Sequence, residues 1–194
     1  MKDYQNIVGV VEGDILAYHD AEAIVVEEKL SIDNLAEEIR NKQTDWKVLR
    51  TIIPSREAES KRLMRKYIFS VSFGLNGKND DLRASCRTVS ECYLYLLQCA
   101  VDCGVTSIAF SALPRPKDNI ADVPILHRAP MVAAATVKHY LDSHPRALNK
   151  IIWVVPKIIA EEYRGCIRHV YEDGLDENDI RYEMETGTNA LRWR

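Results

Sequence analysis

The stretch Gly13-Asp14-Ile15-Leu16, followed within ten residues by Ala23-Ile24-Val25-Val26, sets the reading of this chain. A second stretch, Gly104-Val105-Thr106-Ser107-Ile108-Ala109-Phe110, completes it about ninety residues later, at the end of a long helix-like segment. Residues 5–12 read as a strand that ends at Gly13, and residues 22–27 as a short strand rich in β-branched side chains. The second stretch opens on a glycine where a helix should stop. It runs into a strand, Val105 to Ala112, with little polar alternation, as expected of a central strand covered on both faces.

Between the two stretches, Ile32, Leu35, Ala36 and Ile39 recur at helical spacing, with Ser31 or Asn34 as cap. Trp46 to Ile53 reads as a strand stopped by Pro54, the charged run Arg56 to Lys66 has helical character, and Lys66 to Phe73 alternates as a strand does. Leu82, Cys86, Val89, Tyr93, Leu97 and Ala100 step by threes and fours, the clearest helix in the chain. Beyond the second stretch comes a polar loop, Leu113 to Arg128. Pro130 is then expected to open a helix through Leu141, Lys150 to Val155 to form a buried strand, and Lys157 to Tyr171 a last helix. Strands alternating with helices imply an α/β fold with helices on both faces of a mostly parallel sheet. Residues 172–194, crowded with Glu172, Asp173, Asp176, Glu177, Asp179, Glu183 and Glu185, read as an acidic tail or peripheral extension of a domain spanning 1–171.

The 194 residues suffice for one domain with its own core, and 46% hydrophobic with 28% charged residues is ordinary for a globular protein. A net charge of -3 supplies no global attraction to nucleic acid or anionic membrane, and no apolar run reaches bilayer-spanning length. Five cysteines, an odd count without a C-x-x-C pair, argue against a disulfide framework or a structural zinc site. Cys92, Cys99 and Cys103 share one helix face as small core hydrophobes, which fits a reducing, intracellular setting, cytoplasmic or nuclear. None of the five histidines stands in a metal-ligand pattern, and no resident metal or cofactor is expected.

In this order and at this spacing, Gly13-Asp14-Ile15, Ala23-Ile24-Val25, Lys66-Tyr67-Ile68-Phe69 and Gly104 through Ala112 resemble the macro domain family from about Ile7 to Val170. The resemblance implies a three-layer α/β/α sandwich around a mixed, mostly parallel sheet, and an ADP-ribose site. It also implies that Asp14 accepts a hydrogen bond from the adenine amino group while the Ile15 amide supports the ring. A carboxylate is a sound acceptor for an exocyclic amine. The same aspartate could instead cap the turn after the strand.

The loops that follow each motif depart from the family pattern. Where the family has Asn-Ala-Ala-Asn, this chain has Val26-Glu27-Glu28-Lys29, so Lys29 stands at the position of the second asparagine, and residues 30–36 contain no glycine. Loops that cradle a diphosphate need glycine so that N–H groups can approach the oxygens closely. After Phe110, the run Ser111-Ala112-Leu113-Pro114-Arg115-Pro116-Lys117 replaces the second glycine loop. Its two prolines remove amide donors, and Arg115 and Lys117 are left either to supply charge from their side chains or to form a solvated basic loop. Gly74 matches a glycine of the family's turn at the ligand edge, and Tyr163 or Trp153 stands in for the aromatic that stacks on adenine, Trp153 being the better core candidate.

The expected ligand set is therefore Asp14, Ile15, Lys29, Gly74, Ser111, Ala112, Leu113, Arg115 and Lys117, with no catalytic residue assigned. The leading reading is a divergent macro domain that acts as a binding or scaffolding module and retains recognition of ADP-ribose or an adenine nucleotide. A second is an ADP-ribosyl hydrolase whose general base is Glu27 or Glu28, with Arg115 or Lys117 stabilising phosphate. A third is a nucleic-acid- or protein-binding module with an empty pocket. In that reading the acidic segment serves a protein partner or folds back over a basic surface. The basic residues of 56–66 are interleaved with Glu57 and Glu59, which disfavours nucleic acid.

Overall fold

The computed structural model describes residues 4, 6–27, 46–52, 67–73, 81–114 and 124–188. In chain order the elements are β1 (Val8–Glu12), a 3-10 turn (Ile15–Ala17), β2 (Ala23–Glu27), β3 (Trp46–Ile52), β4 (Tyr67–Phe73), α1 (Leu82–Asp102), β5 (Ser107–Phe110), α2 (Pro124–Ser143), β6 (Lys150–Val155), α3 (Lys157–Glu172) and α4 (Glu177–Thr186). The helices expected over 32–39 and 56–66 lie outside the described residues.

The six strands form one sheet in the order β1-β6-β5-β2-β4-β3. Five run parallel, and β3 joins β4 antiparallel, with Trp46 opposite Phe73 and Ile52 opposite Tyr67. Parallel strands buried on both faces read as continuous apolar runs, and β6 does so with Ile151 through Val155 all buried. One face carries the main core. Val25, Phe69, Ile108, Phe110, Ile151, Trp153 and Val155 meet Cys86, Val89, Tyr93, Leu97 of α1, Val132 and Val137 of α2, and Tyr163 of α3. Ala21, Ile24, Ala109, Ile152 and Val154 bury the opposite face, and Ile15 and Tyr18 from the β1–β2 connection pack on it.

Helix α1 ends as its sequence requires, with Gly104 at φ +68° after the cap residue Cys103. Cys92 is fully buried, while Cys99 and Cys103 are half-buried against the same core. One expectation needs correction. Helix α2 starts at Pro124, not at Pro130, because Pro124 takes the first-turn position that tolerates a missing N–H and Pro130 then lies inside the helix. Within the acidic segment, α4 is capped at both ends. Asp176 accepts from the amides of Asn178 and Asp179, the Asp179 side chain in turn accepts from the Asp176 amide, and Gly187 closes the helix in the left-handed region. Among the described residues no helix is long and apolar enough to cross a membrane.

Candidate ligand-binding site

Because β1, β6, β5, β2 and β4 are parallel, their carboxyl ends share one edge of the sheet. The strand order reverses between β2 and β5: the chain leaves β2 toward β3 and β4 on one side, and leaves β5 toward β6 on the other. Connections that diverge in this way open a crevice at the strand ends, the usual ligand position in open α/β sheets. Glu12 to Ile15, Glu27, Ser111 to Pro114 and Pro156 all stand along that edge.

At the β1 end, the Gly13 amide donates to the Val155 carbonyl at 3.0 Å, and Gly13 turns the chain at φ +155°, a conformation that side chains disfavour. Asp14 caps the 3-10 turn, with Oδ1 accepting from the Leu16 amide at 2.9 Å. Its carboxylate is exposed and, among the described residues, Oδ2 makes no other hydrogen bond. The two readings of Asp14 are thus compatible, one oxygen serving the turn and the other facing water. Ile15 is half-buried on the second sheet face, and Leu16 beside it is 58% exposed.

At the β5 end, the Ser111 amide continues the ladder to the Val25 carbonyl at 3.0 Å, while its Oγ is buried without a partner among the described residues. Ala112 and Leu113 are buried and belong to the main core, so only their backbone remains for a ligand. The Leu113–Pro114 peptide is cis. Tyr163, offered by the sequence as a stacking ring, lies inside at 3% exposure. Burial pushes its phenol well up, and a backbone hydrogen bond from Leu113 acts in the opposite sense. Tyr163 therefore supports the β5 loop from below and does not face ligand. Trp153 is likewise internal, its indole N–H donating to the Tyr93 hydroxyl at 3.2 Å. Lys29, Gly74, Arg115, Lys117 and the alternative base Glu28 lie outside the described residues.

The other groups at this edge carry no sequence motif. Glu12 at the end of β1 pairs with Arg164 of α3 at 2.9 Å, and the same guanidinium also binds Glu161. Only the fold brings residues 12 and 164 together. Ile158, in the first turn of α3, is 91% exposed. Glu27 ends β2 half-buried. Burial pushes the Cys92 thiol well up and Glu27 adds to it; burial also pushes Cys86 to about 11 and Cys166 to about 12. These three sulfurs are held as unreactive thiols near neutral pH. Among the described residues no three His, Cys, Asp or Glu side chains gather as a metal site.

No protein-family model matches the chain, and no curated protein matches it in sequence. Solved structures do. The macro domain of ganglioside induced differentiation associated protein 2 is 18% identical, with a TM-score of 0.63 over 89% of this chain and 88% of that one. An Oceanobacillus iheyensis macrodomain in a structure with ADP is 17% identical, with a TM-score of 0.57 over 84% and 91%. The Trypanosoma brucei macrodomain in complex with ADP-ribose is 17% identical, with a TM-score of 0.57 over 82% and 68%. At such identities the likeness speaks for the fold alone: this chain has the macro domain fold, an α/β/α sandwich on a mixed, mostly parallel sheet.

Proposed function

We propose that this chain binds ADP-ribose or a related adenine nucleotide along the carboxyl edge of its sheet. The observation that carries the reading is that the Gly13-Asp14-Ile15 turn and the Ser111–Leu113 loop both stand along the carboxyl edge of the sheet, the latter beside the reversal of strand order, in a fold shared with macrodomains solved with ADP-ribose and ADP. Asp14 Oδ2 would accept from the adenine amino group and the Ile15 amide would support the ring. The buried Ser111 Oγ would gain its missing partner from the ligand. Backbone donors at the β5 loop are few, since the Ser111 amide is spent on Val25 and Pro114 has none. Lys29, Gly74, Arg115 and Lys117, read from the sequence, complete the proposed ligand set.

The module binds rather than hydrolyses in this reading, because Lys29 stands where the family pattern has its second asparagine. Glu27, at the end of β2 on the same edge, keeps the hydrolase reading testable. Calorimetry with ADP-ribose, ADP, AMP and adenosine tests binding. Release of ADP-ribose from a modified protein, lost in Glu27→Gln and Glu28→Gln variants, would overturn the binding-only reading.

A further inference from the structure

Helix α4 lies across the first turns of two helices that lead out of the candidate ligand edge. Helix α1 follows the loop after β4, and α2 follows the loop after β5. Glu185 near the end of α4 pairs with Arg83 and Arg87 of α1. Arg128 of α2 donates to the Thr186 carbonyl at 3.0 Å. Gly187 comes so close that a Cβ there would fall 2.6 Å from the Arg128 Cβ and 3.0 Å from Val132 Cγ2. Underneath, Ile180 packs with Met131, Ala134 and Ala135 of α2 and with Cys166 and Val170 of α3.

Glu183 sits in the middle of this contact at 5% exposure. Among the described residues its Oε2 has no hydrogen-bond partner, and its Oε1 lies 4.0 Å from His169 Nε2, whose Nδ1 is 2.7 Å from Asp173. The groups that bear on it are His169 and Cys166 from α3, Arg128 from α2 and Asp179 from α4 itself; Arg83 and Arg87 of α1 are engaged two residues further along by Glu185. A carboxylate in such a place is an under-paired buried charge, whereas a protonated carboxyl is tolerated. We propose that α4 is a proton-dependent clip, whose hold on the first turns of α1 and α2 is strong while Glu183 carries a proton and weakens as that proton is lost.

Burial raises Glu183 to about 7, with His169 pulling it down, Asp179 pushing it up and Arg128 pulling it down. An acid raised above its free value of 4.5 binds its proton more tightly docked than released. The docking stability is therefore fully present below the free carboxyl's value and is lost as pH rises through about 7. Linkage then makes opening of α4 about tenfold more frequent at pH 8 than at pH 6.

The clip acts on the helices and needs no ligand. Cys166 lies beneath α4 and Cys92 lies in the main core, so the two thiols separate release of α4 from unfolding of the whole domain. The full chain would be labelled with a thiol reagent at pH 6 and pH 8. Labelled positions would be identified by peptide mass mapping, and rates divided by those of a cysteine peptide at each pH. The expected result is an increase of about tenfold at Cys166, none at Cys92, and no increase at either in Glu183→Gln. Hydrogen exchange on the unsubstituted chain should show amides 86–89 of α1 and 128–132 of α2 losing protection over the same pH range. Equal rates at both pH values, parallel exposure of Cys92, a pH response that persists in Glu183→Gln, or unchanged exchange in α1 and α2 would each overturn the clip.

Discussion

The two edges of the sheet are finished differently. At the edge where the parallel strands begin, polar groups are tied to one another. The Glu22 carboxylate accepts from the Thr106 amide at 2.7 Å and from its hydroxyl at 3.1 Å, the Glu22 amide donates to Ser107 Oγ at 2.9 Å, and the Asn149 amide donates to the Thr106 carbonyl at 2.8 Å. Lys150 reaches Asp20 at 3.4 Å and lies over the Tyr18 ring. At the edge where the strands end, Ser111 Oγ is buried without a partner, Asp14 holds one oxygen to water, and Leu16 and Ile158 expose apolar surface. A buried hydroxyl left unpaired costs stability, and loops that carry function accept such costs where closing connections do not. The first edge ties its polar groups to one another, and the second leaves Ser111 Oγ and one Asp14 oxygen without a partner among the described residues.

The contrast can be broken most severely from beneath both edges. Trp153, in contact with the Tyr93, Phe110 and Tyr163 rings, anchors the core on which both rest. Trp153→Ala should cost about 3–5 kcal/mol in denaturant unfolding; a loss under about 1 kcal/mol would mean that no shared core joins the edges. At the closed edge, Glu22→Ala removes two charge-assisted hydrogen bonds and leaves the Thr106 amide unpaired. Its stability should fall by about 1.5–3 kcal/mol with ligand affinity unchanged. At the open edge, Ser111→Ala deletes an unpartnered hydroxyl, so stability should stay within about 0.5 kcal/mol or rise slightly while nucleotide affinity drops. A stability loss beyond about 1 kcal/mol would show that Ser111 is satisfied within the protein, and the contrast would fail at that point.

The fold was legible where local rules and burial agreed. The stepping of Leu82 through Ala100 with Gly104 behind it located α1, and the unbroken apolar run Ile151 to Val155 located β6. Pro130 misled because two prolines compete for a helix start and the sequence does not say which one sits in the first turn. The start at Pro124 leaves Pro130 in the second turn, buried in a helix whose neighbours hold it. Helix α4 was marked by Asp176, Asp179 and Gly187, but a crowd of carboxylates reads as a solvated tail until Arg83, Arg87 and Arg128 are known to face it. Asp14 and Ser111 could be placed at one edge because each follows a strand in a recognisable order. The depth of Tyr163, and the pairing of Glu12 with Arg164, depend on α3 folding back beside β1, and no local pattern encodes that.

The central claim is that Asp14 spends one oxygen on its turn and offers the other to an adenine amino group. Asp14→Asn separates these roles, because the amide oxygen can still accept from Leu16 while the amide nitrogen replaces Oδ2 with a donor. Calorimetric titration of ADP-ribose into both proteins, with unfolding measured alongside, tests it most directly. The account predicts binding to the native chain, weakening of about tenfold or more in Asp14→Asn, and a stability change under about 0.5 kcal/mol. Binding of equal strength in the two proteins, or none to the native chain, would contradict it.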